Sequence, residues 1–104
     1  MKRSLAPYPL DIVVKMTDSL GEFTWAETSL DQEEGIVLVE VSRSARAEDL
    51  EDIALHEAVH VKQFTEQVIS GEMDDETEAY FTTYAKNTII SAVDRYFKTH
   101  KEGR

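Results

Sequence analysis

Leu50-Glu51-Asp52-Ile53-Ala54-Leu55-His56-Glu57-Ala58-Val59-His60 is the stretch whose reading decides the fold. Leu50, Ile53, Glu57, His60, Phe64 and Val68 recur at spacings of three or four, which is one face of a helix of period 3.6. The spacing predicts a helix starting near Ala47. Glu48 and Asp49 fall in its first turn, where acids favour the helix dipole, and Gly71 suits its C-terminal cap. His56 and His60 stand four residues apart and so project from one side of it.

Working outward, residues 72–78 are an acidic connection. A second helix is expected from about Asp75 to Lys98, with an apolar stripe through Ala85, Ile89, Ala92, Val93 and Tyr96. Lys98, Lys101 and Arg104 suit its C-terminal end. Upstream, Leu10 to Met16 reads as a strand after Pro9, with a short helix as the alternative. Residues 17–21 form a loop. Phe23 to Ser29 alternates loosely, as a second strand does. Residues 31–35 have turn chemistry, and Ile36 to Val41 is the clearest strand of the chain. The last two strands suggest a hairpin. The expected fold is therefore α+β: a small, about three-stranded antiparallel or mixed sheet, then two long helices, the first packed on the sheet.

At 104 residues the chain has room for one domain, spanning 1–104, and not for two. With 41% apolar residues the core is modest, so a bound metal has stability to add. Eleven Lys and Arg against 21 Asp and Glu leave a net charge of −10. Both halves are acidic and no basic stripe occurs, which argues against direct nucleic-acid binding. Pro7, Pro9 and Asp11 interrupt the N-terminal stretch, so it does not read as a signal peptide. No run is long enough to span a bilayer. A cytoplasmic protein is the expectation. Cysteine is absent, so any metal must be held by His, Asp or Glu.

The i,i+4 histidines can place two imidazole nitrogens on one zinc ion at ~2.0–2.1 Å. Glu57, one residue after the first histidine, can approach a zinc-activated water without filling a coordination position. Zinc lowers the pKa of such a water to about 7. Glu57 then serves as general base and passes the proton to the leaving amine. Two of the three histidines in the chain lie in this motif. The bland alternative is an amphipathic helix carrying two partly exposed histidines.

A catalytic zinc needs a third protein ligand. Glu78 continues an inward stripe of the second helix through residues 82, 85, 89, 92 and 96, and the turn at Gly71 lets that helix return past the site. Glu76 points about 160° away from Glu78 around a helix. Glu76, Asp75 and His100 are the other candidates, and the bland reading of the acids is an ordinary N-terminal helical turn. Tyr80 and Tyr84 could donate to a developing oxyanion, or belong to a half-buried core. Trp25 reads as core or as the lip of a cleft, and Glu33-Glu34 as a solvated turn.

Leu55-His56-Glu57-Ala58-Val59-His60, then Glu78-Ala79-Tyr80-Phe81, with the strand Ile36–Val41 upstream, resemble a zincin of the gluzincin type. The likeness is greatest to small phage and prophage metallopeptidases, including the ImmA/IrrE-like group, and covers about residues 10–95. It implies a minimal zincin-like fold, zinc (Zn²⁺) held by His56, His60 and Glu78, and Glu57 as general base. Val59 stands where many relatives have Gly, and the usual Asn after Glu-Ala is missing. The leading expectation is zinc-dependent hydrolysis of a peptide bond in a protein or peptide substrate. The alternative is a zinc-binding regulatory or interaction module without hydrolytic activity.

Overall fold

The structure is a computed structural model and describes residues 9–21 and 23–100. The readings of residues 1–8, and of Lys101 and Arg104 as helix-end bases, lie outside the described residues. Three strands come first: β1 (Asp11–Thr17), β2 (Ala26–Asp31) and β3 (Ile36–Ser42). A 3-10 turn (Ala47–Asp49) leads into α1 (Leu50–Ile69), and α2 (Asp75–Thr99) follows.

The sheet is mixed, in the order β1-β3-β2. β3 pairs antiparallel with β2 (Thr28 opposite Val39) and parallel with β1 (Val14 opposite Val39). β2 and β3 make the expected hairpin. Its turn is closed by the Asp31 carboxylate, which accepts from the Glu34 N–H, and by Gly35 at φ 68°, a conformation that costs glycine no Cβ clash.

Alternation along the strands decides which face is covered. Val37, Val39 and Val41 are buried, with Ile12, Val14 and Met16 on one side and Ala26, Thr28 and Leu30 on the other. Both helices pack on this face, α1 beside β2 and α2 beside β1. The buried line of α1 runs through Leu50, Ala54, Glu57, Ala58, Val61 and Thr65, not through Ile53, His60, Phe64 and Val68. Its alanines let the backbone approach closely, and the helix is rotated so that the histidines swing toward the β2 edge. In α2 the buried line is Phe81, Ala85, Ile89 and Val93. Phe81, Ile89 and Val93 each contribute roughly 1.5–3 kcal/mol on full burial.

The helix ends are individually secured. Ser70, not Gly71, takes the left-handed position that ends α1, at φ 61°. Asp74 caps α2 by accepting from the Thr77 N–H at 2.8 Å. The Glu66 carboxylate accepts from the Met73 N–H at 2.8 Å, closing the α1–α2 turn. At the other end of the sheet Arg43 donates to Asp18 and to the Tyr96 hydroxyl, both at 2.7 Å. Among the described residues no helix is long and apolar enough to cross a membrane.

Candidate metal centre

His56 and His60 project from the flank of α1 beside β2. Their Nε2 atoms lie 3.2 Å apart. Two ligands on a tetrahedral zinc at ~2.0–2.1 Å stand about 3.3 Å from each other, so the pair is already spaced as one edge of a zinc tetrahedron. Nδ1 of His60 lies 3.2 Å from Oε1 of Gln63. Donation from Nδ1–H to that amide oxygen leaves the lone pair on Nε2, the tautomer a metal requires.

Glu57 shares a cleft of about 340 Å³ with His56, Asp52, Ile53 and Phe23 to Ala26. It is only 5% exposed. Its Oε1 accepts a 2.6 Å hydrogen bond from the Thr28 hydroxyl, so strand β2 holds the carboxylate at the inner wall of the cleft. Trp25 is a half-exposed lip residue here, beside a fully exposed Phe23. No motif or spacing in the chain points to Thr28. Its role follows from facing α1 on an edge strand, which needs the sheet register to be seen.

Among the described residues the outer edge of β2 pairs with no further strand, and it is next to this cleft. Ser42 N–H donates to the Trp25 carbonyl, so residues 25, 27, 29 and 31 are those bonded to β3. The backbone groups of Ala26, Thr28 and Leu30 therefore face outward.

Glu78 is not brought to the histidines. Its Oε2 takes a 2.7 Å ion pair from Nζ of Lys62, which also reaches Glu66 at 3.3 Å. Lys62 follows His60 by two residues, about 200° around the helix, so Glu78 contacts the opposite flank of α1. The physical reason is the rotation of α1: its α2-facing side carries Ala58 and Lys62, and its histidine side faces the β2 edge. Glu76 and Asp75 are exposed in the first turn of α2. His100 stacks on Tyr96, with its Nδ1 2.8 Å from the Tyr96 carbonyl oxygen. Tyr84 lines a groove along β1, at the opposite edge of the sheet from β2, and Tyr80 is exposed on the same helix. Among the described residues no group of three or more His, Asp or Glu forms a metal cage. The residues present thus fit zinc with two ligands.

Compared with protein-family models, curated proteins and solved structures, the chain has no match in any of the three.

Proposed function

We propose that the chain is a zinc-dependent hydrolase of peptide bonds, with His56 and His60 as two of the metal's ligands and Glu57 as general base, working in the cytoplasm on a protein or peptide substrate. The observation that carries the reading is the 3.2 Å Nε2 separation at the mouth of the cleft that Glu57 lines. Bound zinc supplies Lewis acidity and an acidified water. The chain's own residues do the rest. Gln63 orients the His60 ring, and Thr28 fixes the Glu57 carboxylate, which takes a proton and returns it to the leaving amine. The outward backbone of Ala26, Thr28 and Leu30 offers an extended substrate a strand to pair with.

The test is hydrolysis of a labelled peptide library by zinc-loaded protein and by Glu57→Gln, with zinc content measured on both. Cleavage by wild type alone, at equal zinc, supports the reading. Equal cleavage by the two removes Glu57 from the mechanism.

A second reading is favoured by the Lys62–Glu78 ion pair, which leaves the histidines without a carboxylate as third ligand. On that reading the chain is a zinc-binding interaction module without hydrolytic activity. Zinc uptake with no cleavage across the library by wild type would select it.

A further inference from the structure

The histidine pair is half of a zinc coordination shell, and the carboxylates of Glu57 and Glu78 are engaged elsewhere. Glu57 is bonded to Thr28 and Glu78 to Lys62, and among the described residues no third ligand joins the pair. The pair also sits on an outer surface with apolar neighbours. Val59, three residues after His56, and Leu55, four before Val59, are 41% and 46% exposed. At these spacings they form a stripe beside the histidines on the same helix.

We infer that a second copy of this chain supplies the missing ligands, so that one zinc is shared by His56 and His60 of each copy, with Leu55 and Val59 covered in the contact. The inference rests on the zinc reading of the pair. A two-fold contact presents the same patch from both sides, so two ligands from each copy complete the four that zinc prefers. The charge of −10 on each chain opposes association, so the contact is conditional on metal. Zinc adds positive charge where the two acidic chains meet, and His56 and His60 bind it as neutral imidazoles. The shared shell has no open position. It is therefore a resting form of the hydrolytic site, favoured when zinc is scarce relative to chain. Excess zinc gives each copy its own ion and reopens the site.

Sedimentation velocity of the full chain with no zinc, with half an equivalent and with a large excess tests this, with bound zinc measured after dialysis. The expected pattern is a monomer without metal, a doubled mass at half an equivalent with one zinc per two chains, and monomer again in excess. Leu55→Glu with Val59→Glu, checked for folding by circular dichroism, should stay monomeric at every ratio and take one zinc per chain in excess metal. A wild type that takes one zinc per chain and stays monomeric at every ratio overturns the sharing and leaves the zinc reading intact. A zinc-dependent dimer that persists in His60→Ala also overturns it. Absence of zinc uptake overturns both, and the dialysis measurement shows that directly.

Discussion

Thr28 on the edge strand donates its hydroxyl to Oε1 of Glu57 in α1 at 2.6 Å, across 29 residues of sequence. Glu57 is nearly buried, and a buried carboxylate without a donor is costly. This bond is what lets an acid sit between a sheet and a helix, and it ties the candidate base to the strand that lines the cleft.

Thr28→Val should therefore destabilise the fold by about 1–3 kcal/mol, the cost of leaving a buried acceptor unpaired. Thr28→Ser keeps the hydroxyl and should retain most of the stability. Urea denaturation of the three proteins measures this, and equal losses in both variants would mean that the threonine methyl, not the hydroxyl, matters.

Glu57→Gln preserves size and can still accept from Thr28 through its amide oxygen, but it cannot act as a base. Zinc content should stay near that of wild type while hydrolysis falls roughly 10²–10⁴-fold. Loss of zinc in this variant would make Glu57 a ligand or a structural support instead.

Glu78→Gln should leave zinc affinity unchanged, because its carboxylate pairs with Lys62 on the opposite flank of α1. A competition titration against a chromophoric chelator reads this out. A marked loss of affinity would bring Glu78 back to the metal.

Acid should loosen the α1–α2 junction. The Glu66 carboxyl is held below its usual range, chiefly by the Met73 N–H and then by Lys62, against a desolvation that raises it. The Asp74 carboxyl is likewise lowered, chiefly by the Thr77 N–H. A carboxyl lowered in the folded state contributes stability above its unfolded pKa, about 4.3 for Glu and 3.9 for Asp. That contribution is lost as pH falls through the lower folded value. The melting temperature of wild type should drop more steeply below about pH 4.5 than that of Glu66→Gln; parallel curves would contradict the assignment.

Much of the fold was legible in the sequence because period and punctuation agree in it. The β-branched run at 36–41, the turn at 31–35 and the helical spacing after Ala47 each specify one element. What the sequence hid is rotation and neighbourhood. The spacing of Leu50, Ile53, Glu57 and His60 suggested one inward stripe; Leu50 and Glu57 are buried, but the rest of the buried line runs through Ala54, Ala58, Val61 and Thr65. Small residues score weakly as apolar anchors, but they are what close packing against the sheet selects. The same rotation decides the site. Two histidines on one helix are a local fact and could be read directly. Glu78 depended on which flank of α1 the second helix contacts, a tertiary fact that its own stripe could not supply. Lys62, which captures Glu78, gave no signal until the two helices were placed side by side.

Zinc titration of wild type and of the His56→Ala, His60→Ala double variant, by calorimetry with metal content determined after dialysis, tests the central claim most directly. Wild type should bind tightly, and the double variant should lose most of that affinity. Tight zinc binding by the double variant, at the stoichiometry of wild type, would contradict the assignment of the His56–His60 pair as the metal site.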